Sequence, residues 1–133
     1  MADLFVLALL GHLVGDFLLQ PKYMALHKSD SGWNGHLICT AHVAIYTGAV
    51  CAFWWTLHPL VVVLVFTPHW VIDRWSLAST WLQLIRGRTF EDAYHSKDKF
   101  REFDIAFTSI VYTVVDNTMH ILCLWLVIQF VIL

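Results

Sequence analysis

Four long apolar stretches, separated by short polar links, dominate this chain of 133 residues. They cover approximately residues 4–20, 36–57, 60–85 and 105–133. A helix needs about 20 mostly apolar residues to cross the hydrocarbon layer of a membrane. The runs are too long for strands and lack their alternation, so we expect helices. The sequence therefore predicts an all-α integral membrane four-helix bundle, made of two transmembrane helical hairpins in a single domain that covers residues 1–133.

The composition excludes several other classes of protein. Hydrophobic residues make up 59% of the chain and charged residues 14%, with a mean hydropathy of +0.65. Soluble domains are typically about 45–50% apolar and about 25% charged. A net charge of −2 gives no electrostatic reason to expect nucleic acid as a partner. The composition thus argues against a soluble globule, a disordered tail and a nucleic-acid binder, and it makes membrane lipids the expected surroundings.

The basic residues predict the orientation of the chain. Seven of the eight Lys and Arg residues lie in two links, 21–35 and 86–104. With four spans, both links face the same side, and the positive-inside rule places that side in the cytoplasm. We therefore expect cytoplasmic links and external termini.

The longer link, 86–104, contains a sequence that is typical of a helix start. Thr89 and Asp92 have the spacing of a capping box. The aromatic side chains that follow would suit a short helix on the membrane surface, and a solvated loop is the alternative.

Histidine and aspartate recur four residues apart in three of the four spans. The pairs are His12 and Asp16 in GHLVGDFLLQ, His69 and Asp73 in HWVID, and Asp116 and His120 in DNTMH. Residues at positions i and i+4 share one face of a helix. The second span adds His42, followed four residues later by Tyr46. We expect these side chains to form polar stripes that face the interior of the bundle.

The three aspartates lie within apolar spans, so their carboxylates must face the interior of the bundle. An Asp near the centre of a bilayer costs about 2.5–3.5 kcal/mol, so the three together cost an amount comparable with the whole stability of a typical domain. Such residues are a functional-site hypothesis by default.

The cysteines Cys39, Cys51 and Cys123 show no CxxC or CxxH spacing and predict neither a disulfide nor a thiolate site.

Three uses of the His/Asp set compete: a metal site, a metal-free proton relay, and hydrogen bonding between helices. The repeated pairs favour a divalent metal ion, with zinc as the generic choice and manganese, iron or nickel as alternatives. The expected ligands outnumber the three or four that one zinc ion needs, which allows two ions or an outer layer of support. They are His12, Asp16, His42, His69, Asp73, Asp116 and His120.

Other polar residues near the spans are candidates for contact with a substrate. Gln20, Lys28 and Arg74 could meet an anionic group, although Lys28 also obeys the topology rule and Arg74 could extend to the cytoplasmic surface. We expect His36 to be interfacial, and His27, His58 and His95 to be ordinary loop or turn residues.

The pattern as a whole resembles a known family. The matching segments are, in order, GHLVGDFLLQ with a lysine-bearing link, L-x-x-x-H, HWVID and DNTMH. This series is similar to that of small polytopic membrane proteins of bacteria and phages that are catalogued as a domain of unknown function. The resemblance covers most of the chain but not the link 86–104. It implies a location in a bacterial inner (cytoplasmic) membrane, and it supplies no established activity. The H-x-x-x-D spacing is remotely similar to that of inner-membrane metal-dependent hydrolases, which implies lipid-like or phosphate-bearing substrates.

These observations together predict a polytopic membrane protein with an intramembrane His/Asp metal site. If it is an enzyme, metal-dependent hydrolysis of a membrane-borne ester or phosphoester is the leading class, with Asp116 as general base. The alternatives are an ion or proton transporter that works as a homo-oligomer, and a small membrane interaction protein whose polar core is structural.

Overall fold

The computed structural model describes residues 2–87 and 89–132. Regular structure in these ranges is helical, without strands, which confirms the all-α prediction for this part of the chain. The elements are α1 (Ala2–Leu13), a π-helical turn (Val14–Leu18), α2 (Lys22–His27), α3 (Trp33–Phe53), α4 (Pro59–Arg74), α5 (Leu77–Arg86), α6 (Phe90–His95), α7 (Arg101–Val127) and a terminal π-helical turn (Ile128–Ile132). Arg88 of the second link, and the ends of the predicted domain at Met1 and Leu133, lie outside the described residues.

Four helices pack in a ring around one interior. α1 contacts α3, α3 contacts α4, α4 contacts α7, and α7 returns to α1. The indole Nε1 of Trp54 donates to the backbone carbonyl of Leu4 at 3.0 Å and ties the end of α3 to the start of α1. The apolar core lies at this end of the ring, and its buried members are Ala8, Tyr46, Val50, Trp54, Val61, Val65, Leu124, Val127 and Ile128.

The candidate membrane spans number two or three among the described residues. Trp33–Phe53 and Arg101–Val131 are long and apolar enough to cross a membrane, judged by length and composition. α4 and α5 qualify only as a pair, because they are bent by 55° at the break between them. The first predicted span folds as the 12-residue α1 and the five-residue π-helical turn, and it is not among these candidates.

The third predicted span is broken into two helices. The stretch 60–85 is not one continuous helix, because Ser76 adopts a left-handed conformation with φ of 46° that a right-handed helix cannot contain. The fourth helix begins at Arg101, within the second link, and contains the predicted start of the fourth span near residue 105. The bend directs α5 away from the axis of α4, with Ala78 and Leu82 on its buried face.

Both links contain short helices. α2 lies within 21–35, and α6 lies within 86–104. The capping box that the sequence predicts is confirmed: the Asp92 backbone N–H donates to Thr89 Oγ1 at 3.1 Å, and the Thr89 N–H donates to Asp92 Oδ2 at 3.1 Å.

Two glycines allow α1 and its π-helical turn to approach α3 closely. A Cβ atom at Gly11 would lie 2.8 Å from the Val50 Cα, and one at Gly15 would lie 2.7 Å from the Tyr46 ring. Glycines four residues apart are a common means of close helix packing in membranes. The spacing GHLVG therefore sets the distance between the helices that carry Asp16 and His42.

Replacing Gly15 by alanine is expected to lower the stability of the protein by about 1–3 kcal/mol, the usual cost of overpacking a close interface. Thermal unfolding in detergent, followed by circular dichroism, measures the change. Gly48→Ala is the matched control, since a Cβ atom at Gly48 meets nothing within 4 Å. Equal melting temperatures for Gly15→Ala and Gly48→Ala would contradict the close approach.

Candidate metal centre

Two histidines from neighbouring helices face each other in the interior of the ring. His42 lies near the middle of α3, and His69 follows Pro68 in the second half of α4. Both side chains are buried. Their Nε2 atoms are 3.2 Å apart. The two imidazoles thus present their coordinating nitrogens to the same small volume.

Asp16 completes a triangle of donor atoms with these histidines. Its Oδ1 atom lies 3.3 Å from His42 Nε2 and 3.4 Å from His69 Nε2. Zinc bonds of about 2.0–2.1 Å at tetrahedral angles place neighbouring ligand atoms about 3.3–3.4 Å apart. The three separations between these donors are therefore close to those of three ligands of one tetrahedral ion.

The backbone that carries Asp16 is a π-helical turn. The turn covers Val14–Leu18 and continues directly from α1. Such turns occur frequently at functional sites, because the wider coil displaces a side chain from regular helical positions.

Asp73 approaches the same two imidazoles. It lies in the last turn of α4, and its Oδ2 atom is 3.1 Å from His42 Nε2 and 3.2 Å from His69 Nε2. This oxygen also accepts a hydrogen bond from Lys28 Nζ at 2.7 Å. Asp73 is thus both a candidate ligand and the partner of a cation from the first link.

A third imidazole, that of His120 on α7, packs on His69. The ring centroids are 4.0 Å apart and the ring planes are inclined by 28°. His120 Nε2 lies 3.8 Å from Asp73 Oδ1, and His120 Nδ1 lies 3.7 Å from Asp116 Oδ2. Single donor atoms from His69, Asp73 and His120 lie within 4.8 Å of one another, which makes a second set of potential ligands.

His12 contacts Asp16 but lies outside the triangle of donor atoms. Its Nε2 lies 2.7 Å from Asn117 Oδ1, and because an amide oxygen can only accept, Nε2 carries the proton. Its Nδ1 lies 3.2 Å from the Tyr46 hydroxyl and 3.3 Å from Asp16 Oδ2. The sequence predicts His12 as a ligand, whereas the structure places it outside both sets of converging donor atoms.

The predicted substrate residues lie in different surroundings. With its amide oriented to satisfy its neighbours, Gln20 accepts from Lys28 Nζ at 3.2 Å, so both residues border the donor atoms. Arg74 instead donates to His36 Nδ1 at 3.2 Å and to the Ser29 carbonyl at 3.0 Å. Through these hydrogen bonds, Arg74 connects the first link to the helical bundle.

The structure brings most of the predicted ligands together. Asp16, His42, His69, Asp73 and His120 converge, while Asp116 lies behind His120 and outside both donor sets. His58 is exposed, as expected, whereas His27 and His95 are the last residues of α2 and α6 and not loop residues. The sequence did not reveal that Asn117 binds His12, although Asn117 directly follows Asp116, nor that His36 pairs with Arg74.

Comparison with known proteins identifies the family. No curated protein and no solved structure matches the chain. One family, described as "Protein of unknown function (DUF3307)", matches residues 4–133. The match covers every residue of the candidate metal centre. The chain therefore belongs to the DUF3307 family of proteins of unknown function.

Proposed function

We propose that this protein binds a divalent metal ion inside its helical bundle and uses it to hydrolyse a membrane-borne phosphoester. The observation that carries the proposal is the near-equilateral triangle of Asp16 Oδ1, His42 Nε2 and His69 Nε2, with edges of 3.2–3.4 Å. Zinc is the best match, because imidazole and carboxylate ligands at tetrahedral spacing suit it. Asp73 Oδ2, beside the same histidines, is the further ligand.

The charges around the donor atoms favour a cation. Asp16, Asp73 and Asp116 carry three negative charges when ionised, and Lys28 is the one Lys or Arg within ion-pairing distance of them among the described residues. Neutral imidazoles leave two negative charges uncompensated in a largely buried region. A divalent ion neutralises them, and buried charges require such compensation.

Unmet hydrogen bonds argue against a purely structural role. Polar residues that only hold helices together pair their donors and acceptors with one another. Here Asp16 Oδ1 and both ring nitrogens of His120 are buried without a hydrogen-bond partner among the described residues. Such atoms are expected to have a ligand, and lone pairs that converge from several helices suit a metal ion.

The residues that border the site support an anionic substrate. Asp16, His42, His69 and Asp73 would hold the zinc ion, which would supply a nucleophile by lowering the pKa of a coordinated water to about 7. Lys28 and Gln20, on the link side of the donor atoms, are placed to orient a phosphate oxygen. Asp116 is the carboxylate outside the donor sets, and we assign it the transfer of a proton during attack.

The membrane setting of this proposal keeps the predicted four spans. α1 with its π-helical turn and the bent α4–α5 pair would cross beside α3 and α7, with the two basic links in the cytoplasm. Large apolar side chains on the outside of the ring support this setting, among them Leu10, Phe17, Leu37, Ile110 and Trp125. The site then lies on the cytoplasmic side, near the link that carries Lys28.

Metal analysis of the purified protein tests the binding step. We expect zinc to co-purify from detergent prepared without chelators, to be removed by a chelator and to return on dialysis against zinc. His69→Ala should lose the metal, and His58→Ala, which changes an exposed histidine, should retain it. Protein that binds no zinc, manganese, iron or nickel would refute the proposal.

Release of phosphate tests the reaction. Zinc-loaded protein in vesicles that contain phosphatidic acid is expected to liberate inorganic phosphate, and the apoprotein to liberate none. Transport is tested separately, in vesicles that have a zinc gradient but contain no phosphoester substrate. Movement of zinc across these vesicles, without hydrolysis of phosphatidic acid or of a phosphodiester lipid, would replace the hydrolase by a transporter.

A further inference from the structure

His120 is buried and unsatisfied at the centre of the molecule. Its side chain is 1% exposed, and neither ring nitrogen has a hydrogen-bond partner among the described residues. Buried side-chain nitrogens nearly always have a partner, so an imidazole with two unmet positions requires an explanation. Its ring packs on that of His69, at a centroid separation of 4.0 Å, but His120 is not a member of the triangle that contains Asp16.

The two oxygens of Asp73 face different partners. Oδ2 lies 3.1–3.2 Å from the His42 and His69 nitrogens, whereas Oδ1 lies 3.8 Å from His120 Nε2. A separation of 3.8 Å is too long for a hydrogen bond. Two ligands at about 2.1 Å from one ion can lie up to about 4.2 Å apart, so the same separation suits an ion between them.

We infer that the centre holds two metal ions, with the Asp73 carboxylate as the bridge between them. This inference rests on the proposed function. The first ion is bound by Asp16, His42 and His69 with Asp73 Oδ2, and the second by His120 Nε2 with Asp73 Oδ1. Each carboxylate oxygen has two lone pairs, so Oδ2 can bind the first ion while it accepts from Lys28.

Asp116 gives the second position its outer support. Its Oδ2 atom lies 3.7 Å from His120 Nδ1, on the side of the ring opposite the Nε2 atom that faces Asp73. A histidine that binds a metal through one nitrogen usually directs its other N–H to a carboxylate or carbonyl, which fixes the tautomer. A small closure of this distance would make Asp116 that partner and leave the Nε2 lone pair free for the ion.

Two ions also define the substrate class more closely. Pairs of ions about 3.5–4 Å apart stabilise both the attacking and the leaving oxygen of a phosphoryl group during in-line displacement. The attacking oxygen comes from water, the bond between phosphorus and the lipid alcohol breaks, and the alcohol oxygen takes up a proton. A phosphoester therefore fits this centre better than a carboxyl ester.

Metal stoichiometry tests the inference directly. Protein in detergent, equilibrated with excess manganese and separated from free metal, is expected to hold two equivalents, measured by elemental analysis. His120→Gln should reduce the content from two to one, and the matched control His58→Gln should keep two. The electron paramagnetic resonance spectrum of the wild type should show exchange coupling between neighbouring manganese ions, a result that does not depend on how any variant folds.

Each outcome separates this inference from the proposed function. One equivalent in the wild type, without exchange coupling, would overturn the two-ion centre and leave single-metal binding intact. No bound metal would overturn both. A His120→Gln protein that keeps native helix content and two equivalents would also refute the second position. If this variant loses helix content, the stoichiometry and spectrum of the wild type decide the question without it.

Discussion

Asp73→Asn is expected to remove all bound metal and to destabilise the protein at the same time. The amide weakens the side chain as a ligand beside His42 and His69. It also leaves the Lys28 ammonium, which is 2.7 Å from the carboxylate, without its buried counter-charge. Removal of one partner of a buried ion pair costs about 3–5 kcal/mol. Metal analysis and thermal unfolding of the same apoprotein preparations measure the two effects separately.

A second substitution distinguishes the two losses. Lys28→Met in the Asp73→Asn background removes the unpaired charge, so most of the lost stability of the apoprotein should return while the metal content stays at zero. Lys28→Met alone should keep the metal, because Lys28 donates to the carboxylate and cannot itself be a ligand while protonated. Full metal binding by Asp73→Asn would show that the Asp73 carboxylate is not a ligand.

Asp16→Asn is expected to weaken metal binding by more than about 100-fold, because loss of a supporting residue alone costs about 10–100-fold. The substitution preserves the size of the side chain, so the contact with His12 remains and helix content should not change. Competition with a chelator of known affinity measures the change. The substitution should weaken the binding of the ion held by His42 and His69 and leave the binding of the ion assigned to His120 unchanged.

Asn117→Ala is expected to weaken metal binding less than Asp16→Asn does. Asn117 accepts from His12 Nε2 at 2.7 Å, and His12 in turn contacts Asp16 Oδ2, so its removal disturbs a ligand only indirectly. We expect a loss of affinity of about 10–100-fold with the stoichiometry unchanged. If Asn117→Ala matched or exceeded Asp16→Asn, His12 rather than Asp16 would have to be the ligand.

Short-range sequence patterns identified most of the candidate site. The i, i+4 spacing of His69 and Asp73 holds in the structure as a contact of 3.2 Å, because both lie within the continuous helix α4. Helical periodicity also put His120 and Asp116 on one face of α7. The capping box of Thr89 and Asp92 is equally local, and it was predictable for the same reason.

The roles within the site could not be read from spacing. His12 and Asp16 have the same separation in sequence as His69 and Asp73, yet Asp16 joins the donor triangle while His12 binds Asn117 and Tyr46. The difference arises from the π-helical turn that begins at Val14, and from close packing at Gly11 and Gly15. These features set how far α1 is rotated and displaced against α3.

The sequence by itself determined that the chain is helical, that apolar stretches long enough for a membrane dominate it, and that carboxylates and imidazoles in those stretches need partners. Hydropathy and periodicity are properties of neighbouring residues, so they are visible without a fold. Only the tertiary structure decided that α4 and α5 are separate helices, that Lys28 pairs with Asp73, and which donor atoms converge. Those facts depend on distances of about 3 Å between residues far apart in the chain, and such distances are fixed by packing between helices.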